Sequence, residues 1–441
     1  MNQSFNRQQL LRLCKKTELL SYGLELSADL DNSYNEIVAD SFEFNINKVS
    51  EYFLTQDLPN KLILRKLNDN IKRIYKDEQA NRRIIISQVK TLLSETCPFW
   101  VVKTDIKSFY ESIDRDRLIS KFRDDALLSY QSMFLLKTFF SNPILTGNTG
   151  VPRGMSISAT LSEIYMRKFD KWVRRFSGVY YYARFVDDII IFTNSLSSAT
   201  SLISNLDRNL LTLAGGLKIN VSKTELFDGK ILKSINPNDG KFIRNGKTLE
   251  YLGYSFFKET ENIKKATAKS FQNVEDLKYT VETIYSTFVI EPISKIGFKE
   301  IKRNKESFLK ISIADKKVKK IKTRIVKAFL DFSKNKNFNL LENRIKFLTG
   351  NYSIRKNEEG NTLRAGIYYN YLHVNRQKIF VELNSFFRRT LFSQTNNFGL
   401  KIGLTKVQKQ QLNKYCFIAG FKNKVHNEFD YSEMQKIIQC W

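Results

Sequence analysis

Two histidines, four cysteines and six prolines in 441 residues are few, and each scarcity closes a class of chemistry. Cys14, Cys97, Cys416 and Cys440 are isolated from one another and from His373 and His426, so neither a zinc spacing nor a disulfide framework is expected. That usage points to a reducing, cytoplasmic setting. Two histidines also leave little room for imidazole catalysis. No run approaches the roughly 20 apolar residues of a membrane span, and Met1-Asn-Gln-Ser-Phe5 lacks a charged-then-apolar leader pattern, so no membrane partner is expected. The few prolines and the lack of a Gly/Ser-rich linker predict lobes packed together.

Acid is scarce as well. Lys and Arg number 72 against 45 Asp and Glu, a net charge of +27, and a chain this basic usually meets a polyanion. Hydrophobic content of 42% is ample for a core, and at about 150 residues per domain the length predicts two or three lobes. Residues 1–97 alternate short helical patterns with polar patches such as Asp29 to Asp31, residues 98–257 hold the strand-like runs, and residues 258–441 read as helical and lysine-rich. Leu62 to Leu93, carrying Arg73, Arg82 and Arg83, reads as a basic helix or strand followed by an amphipathic helix. Lys295 to Lys327 holds 13 basic and 3 acidic residues, with Val318, Ile321, Ile325 and Phe329 as an apolar stripe at helical spacing. Its other face makes Lys316, Lys317, Lys319, Lys320 and Arg324 candidate nucleic-acid contacts.

Against this background the acids at Asp187 and Asp188 stand out. They lie in Tyr180-Tyr-Tyr-Ala-Arg-Phe-Val-Asp-Asp-Ile-Ile-Ile-Phe192, whose β-branched and aromatic flanks predict a hairpin with the Asp pair as its two-residue tip. Two carboxylates about 4 Å apart repel by several kcal/mol even at an effective dielectric of ~20, so they call for a cation. A third aspartate, Asp105, ends the apolar run Trp100-Val-Val-Lys-Thr-Asp105. Three carboxylates from strand ends suit two Mg²⁺ ions, with Mn²⁺ as a substitute, because both are hard cations that take oxygen ligands. The backbone carbonyl of Ile106 would complete the metal site. Such a site supports nucleotidyl transfer, one ion activating a 3′-hydroxyl and the other steadying pyrophosphate.

Three more segments carry candidate roles. Tyr110, five positions after Asp105, would lie beneath the incoming sugar and favour deoxynucleotides. Gly150-Val-Pro-Arg-Gly-Met-Ser-Ile-Ser158 is a loop opening a helix, where Arg153 and backbone N–H groups would meet phosphate and the small Ser156 and Ser158 would leave space for a base pair. Tyr368, Tyr369 and Tyr371 are core residues or, less favoured, stacking platforms for bases.

In order and spacing, the segments around Asp105, Arg153 and Asp187 resemble motifs A, B and C of reverse transcriptases. Gly216-Leu-Lys-Ile-Asn-Val-Ser-Lys223 resembles motif D, with Lys223 on the phosphates, and Leu249-Glu-Tyr-Leu-Gly-Tyr-Ser-Phe256 resembles the primer-grip motif E through Tyr251, Leu252 and Gly253. The resemblance covers about residues 60 to 257. It implies an α+β right-hand polymerase fold: fingers within 1–97, a palm with interleaved fingers over 98–257, and a helical thumb and C-terminal region over 258–441. It also places Arg73 and Arg82 where fingers would hold the triphosphate. Arg153-Gly-Met-Ser-Ile-Ser-Ala-Thr-Leu161 departs from the intron and retroviral pattern and resembles the bacterial unknown-group, defence-associated reverse transcriptases, as do Phe347 to Tyr352 and Gly366 to Tyr371. Asn2-Gln-Ser-Phe5 resembles the smaller polymerase of type 3, two-polymerase systems. Membership there implies antiphage defence, DNA made from dNTPs on a dedicated non-coding RNA, and assembly as a homo-oligomer or with a second reverse transcriptase. A template-independent or protein-primed polymerase, and a non-catalytic RNA-binding scaffold, stay open as rivals.

Overall fold

In the computed structural model, residues 1, 16–17, 20–21, 23–24, 50, 56, 77–79, 96, 147–149, 237–242, 244–245, 264–303 and 356–361 are left undescribed, and the account below concerns the rest. The first nine residues of the Lys295 to Lys327 stretch fall outside the described residues.

The described strands, in chain order, are β1 (Ile46–Val49), β2 (Tyr52–Thr55), β3 (Trp100–Asp105), β4 (Val179–Phe185), β5 (Asp188–Thr193), β6 (Glu225–Asp228), β7 (Lys233–Ile235), β8 (Leu249–Tyr251), β9 (Tyr254–Ile263), β10 (Asn304–Ile313), β11 (Asn351–Arg355) and β12 (Thr362–Gly366). They form an antiparallel five-stranded sheet in the order β4-β5-β3-β6-β7, a three-stranded sheet β10-β9-β8, and two hairpins, β1-β2 and β11-β12. With long helices between the strands, this is the α+β architecture expected for a right-hand polymerase.

The central strands are buried on both faces, which is why they read as unbroken apolar runs. In β5, Ile189 and Ile191 turn to the main core while Ile190 and Phe192 line the opposite face, and all four are fully buried. Phe192 meets Phe99 and Tyr181 there, with ring centroids 5.7 and 5.5 Å apart. The main core takes in the helices Ser156–Arg174 and Leu196–Leu213, whose period of 3.6 sends Leu161, Phe169, Leu202 and Leu206 inward.

The basic stretch Leu62 to Leu93 resolves into two helices, not a strand and a helix. Leu58–Tyr75 begins under an Asp57 cap with Pro59 in its first turn and ends where Lys76 turns left-handed, at φ +52°. Arg82–Leu93 begins under an Asn81 cap. Lys66, 1% exposed, donates to the carbonyl of Asn2 (3.1 Å), and Asn70 donates to that of Gln3 (3.0 Å). The segment Asn2 to Phe5 is therefore fastened to the first of these helices.

By compactness the chain divides into Met1–Phe257 with Ile311–Trp441, and Lys258–Lys310. The first unit includes the helix Asp315–Asn335, which buries Val318, Ile321, Ile325 and Phe329, the stripe read from the sequence. Of the second unit only the strand segments 258–263 and 304–310 are described. No described helix is long and apolar enough to cross a membrane.

Candidate active site

Asp105 closes β3 and stands opposite Asp188, the first residue of β5. The hairpin register pairs Phe185 with Asp188, so the two-residue tip is Val186-Asp187 and not the Asp pair. This one-position correction matters because Asp188 becomes a strand residue in register with Asp105, while Asp187 projects from the turn. Val186 pays locally for this, since its φ of +62° is a left-handed conformation that β-branched residues avoid. The N–H of Ile106 donates to the Asp187 carbonyl (3.2 Å) and that of Asn220 to the Asp105 carbonyl (2.7 Å), so main-chain bonds fix both acids.

The electrostatics follow from the crowding. Burial, then the neighbouring charges of Asp188 and Asp105, push Asp187 up to about 6. Asp188 is also raised, by burial and by Asp105, against the opposing pull of Lys103, Lys223 and Lys317. Lys223 places its ammonium on Asp105 Oδ2, and that contact raises its own pKa. The lysine of the segment that resembles motif D thus meets one of the candidate catalytic acids directly.

These acids are hard oxygen donors whose mutual repulsion is offset in part by the ammonium groups of Lys103, Lys223 and Lys317, so their chemistry fits a divalent cation such as Mg²⁺. Among the described residues, no group of three or more His, Cys, Asp or Glu side chains is arranged to hold a metal ion, and Lys223 stands on Asp105.

Tyr110 lies beside this centre. Its phenol is half-buried, bonded to Ser162 and within electrostatic reach of Glu163 and Asp187; burial is the main reason its pKa is raised. Its carbonyl accepts the N–H of Val151 (2.8 Å), a contact that requires Gly150, because a Cβ there would lie 2.0 Å from the same oxygen. The loop carrying Arg153 is thereby laid against the Tyr110 segment. Arg153 itself forms a two-pronged ion pair with Glu111, so its guanidinium is engaged within this pocket wall. Ser158 is buried and donates to the Pro152 carbonyl (2.5 Å), which fastens the loop, while Ser156 is exposed.

The primer-grip residues form a tight hairpin. Tyr251 pairs with Tyr254, leaving Leu252 and Gly253 as the turn at φ +45° and +87°. The buried Tyr251 donates its hydroxyl to the Asp188 carbonyl (3.3 Å), which joins this hairpin to the catalytic strand.

Several basic residues have tasks that their setting in the sequence did not suggest. Arg82 donates to the carbonyls of Leu252 (2.6 and 3.1 Å) and Asn370 (3.3 Å) and lies over the Tyr254 ring, so it braces the primer-grip turn instead of standing open to triphosphate. Arg83 donates to the Arg364 carbonyl. Arg73 pairs with Asp69 one turn earlier on its own helix. Lys316, Lys317, Lys319 and Lys320 are exposed on the helix Asp315–Asn335, whereas the Arg324 guanidinium lies over Trp441 and the Arg324 main-chain carbonyl accepts the indole N–H (3.2 Å). Arg324 therefore leaves the open lysine face. Tyr371 packs on Tyr254 and Tyr368 on Phe421, the core reading of these tyrosines.

Reading the sequence overlooked Arg184. It is 5% exposed and binds Asp170 and Glu163 together with the Val186 carbonyl. The available signal was a lone charge inside an otherwise apolar strand run.

With this geometry in view, the comparisons can be set beside it. Residues 58–256 match the family described as reverse transcriptase (RNA-dependent DNA polymerase). That stretch of the chain is similar to a reverse transcriptase domain. Enzymes with this domain are nucleotidyltransferases, and the family uses divalent metal ions. No curated protein matches the chain. Solved structures similar to it include apo telomerase from Candida tropicalis truncated from its C-terminal domain, at 15% identity and TM-score 0.30 over 52% of this chain and 50% of that one. Telomerase from Candida albicans with a fragment of telomeric RNA gives 13% and 0.28, over 51% and 40%. The corresponding Candida tropicalis complex gives 13% and 0.30, over 60% and 44%. The match thus spans half or less of those chains.

Proposed function

We propose that this protein is an RNA-directed DNA polymerase that makes DNA on a dedicated non-coding RNA, in the cytoplasm, as part of antiphage defence. The observation that carries the polymerase reading is the register of Asp105 with Asp188, with Asp187 on the adjoining turn, inside the stretch that matches the reverse transcriptase family. The defence role, the RNA and a second polymerase or homo-oligomer as partner rest on the resemblance of the Arg153 to Leu161 segment to the bacterial unknown group.

Asp105, Asp187 and Asp188, with the Ile106 carbonyl, would hold two Mg²⁺ ions, or Mn²⁺ in their place. When bound, such ions lower the pKa of an attacking 3′-hydroxyl and neutralise charge on the departing pyrophosphate. The chain's own residues do the rest. The Tyr110 ring closes the space where a ribose 2′-hydroxyl would sit, selecting dNTPs. Lys223, held at Asp105, is placed to offer its ammonium to phosphate or a proton to pyrophosphate. Arg153, by exchanging Glu111 for a triphosphate, would anchor the nucleotide, and the turn of Leu252 and Gly253 would press the primer end toward the acids.

The test is to purify the protein with its RNA, add Mg²⁺ and four dNTPs, and sequence both nucleic acids. DNA complementary to one recurring RNA segment, lost in Asp187→Ala while RNA binding persists, is the expected result. DNA unrelated to the RNA would instead establish untemplated synthesis. Synthesis by Asp187→Ala within about tenfold of wild type would overturn the metal assignment, since a group acting only in the transition state carries far more than that.

A further inference from the structure

The catalytic turn is strained, and what restrains it lies beneath it. Val186 sits at φ +62°, which a two-residue hairpin turn asks of its first residue but which a β-branched side chain resists. Arg184 Nη1 donates to the Val186 carbonyl at 3.0 Å. The same guanidinium holds Glu163 Oε2 at 2.6 Å, and Asp170 through Nε at 3.0 Å and Nη2 at 2.8 Å. Tyr182 completes the group by donating to Asp170 Oδ1 at 2.6 Å. Asp170 and Glu163 both belong to the helix Ser156–Arg174. One planar fork therefore ties the carbonyl before Asp187 to two carboxylates on a rigid helix.

We infer that Arg184 is a positioning residue for the metal-binding acids: through the Val186 carbonyl it fixes the turn and so the direction of Asp187. This inference rests on the polymerase reading of the site. A point charge cannot replace the fork, because lysine offers no planar array of donors spanning two carboxylates and a carbonyl. Glu163 has a second bearing on the site, since its charge also reaches the phenol of Tyr110. The Arg184 group thus stands between the nucleotide-selecting ring and the metal-holding turn. A buried cluster kept only for stability need not spend a donor on a strained carbonyl; well-packed apolar side chains serve stability as well.

The test uses the full chain with Mn²⁺ as probe, titrated by electron paramagnetic resonance, beside the Mg²⁺ dependence of primer extension. Arg184→Lys and Glu163→Gln are compared with wild type and Asp187→Ala, and near-ultraviolet circular dichroism checks the fold. Arg184→Lys should weaken Mn²⁺ binding and raise the half-saturating Mg²⁺ concentration by about 10-fold or more, the usual effect of losing a supporting hydrogen bond behind a metal ligand. Glu163→Gln, which keeps the shape of the pair at its edge, should move both in the same direction by less. The KM for dNTP should change little. A merely structural role would lower the fraction of active enzyme and leave both metal dependences where they were. Wild-type metal dependence in both variants would overturn the inference while the polymerase reading stands. Mn²⁺ binding unaffected by Asp187→Ala would overturn that reading, and the inference with it.

Discussion

At Asp187 the cost of assembling the site can be measured directly. Burial and two neighbouring carboxylates raise its pKa from an ordinary 3.8 to about 6. The folded protein therefore holds this proton more tightly than the unfolded chain does. Between pH 3.8 and about 6 the native state binds more protons, and stability falls as pH rises. The contribution is fully present below the unfolded pKa and lost above the folded one. Asp187→Asn, which cannot ionise, should accordingly stabilise metal-free protein at pH 7.5 by about 1 kcal/mol after allowing for solvent screening, read as a higher melting temperature. At pH 4 the gain should vanish. Mg²⁺ should stabilise wild type by mass action and the variant far less. Thermal melts in EDTA and in Mg²⁺ at the two pH values check each step; an equal melting temperature at pH 7.5 would mean that the acids do not repel as the geometry requires. A second residue, Tyr110, would act by bulk under the proposed function. Its backbone is pinned by Val151 and its ring packs on Phe109 at 5.3 Å, so the ring cannot swing aside cheaply. Tyr110→Ala should reduce the preference for dNTP over NTP in kcat/KM by roughly 10- to 100-fold, the order associated with one hydroxyl in a shaped pocket.

Among elements, two hairpins meet at one strand, and they differ in how far sequence reveals them. The β8-β9 turn of Leu252 and Gly253 follows ordinary turn chemistry, with glycine at φ +87°, and its place beside the acids was legible from the order of the motifs. The β4-β5 turn was legible only in outline. Turn residues gave no reason to place valine at positive φ, and tertiary bonds from Arg184 and Ile106 set a register that local preference opposes. Arg82 was misjudged for a related reason. A basic helix start suggests phosphate, whereas the carbonyls of Leu252 and Asn370, 170 and 288 positions away along the chain, claimed the guanidinium. Gly253→Ala tests the element. Its Cβ would stand 3.2 Å from Lys317 and 3.3 Å from Arg82 at a left-handed backbone, costing about 1–2 kcal/mol. Primer extension should lose efficiency mainly through a higher KM for primer, with RNA affinity retained. Arg82→Gln should do the same by freeing the Leu252 carbonyl; a variant that loses dNTP affinity instead would return Arg82 to the triphosphate.

At the scale of the whole molecule, the excess of 27 positive charges needs a location, and the helix Asp315–Asn335 supplies part of it. Lys317 is held below its ordinary pKa by burial and by Lys320, Arg82 and Lys316, with Asp188 pulling the other way. That combination places one end of the lysine face next to both the primer-grip turn and the catalytic strand, since Gly253 and Lys317 nearly touch. Like charges so crowded would be relieved by a polyanion running along the helix. A nucleic acid bound there would release counterions, so the logarithm of affinity should fall linearly with the logarithm of salt concentration, and removing four phosphate contacts should reduce the slope by roughly 3 to 4. Replacing Lys316, Lys317, Lys319 and Lys320 together by Gln should produce that change in filter-binding or anisotropy titrations across salt. Arg324→Gln should not, because Arg324 is committed to Trp441 at the far side of the helix's contacts. The single change Lys317→Gln separates holding from copying: it should take away about one unit of slope and also lower primer extension at saturating RNA, because Lys317 registers the charge of Asp188. An unchanged slope in the fourfold variant would move the nucleic-acid track away from this helix and leave its lysines as a solvated face.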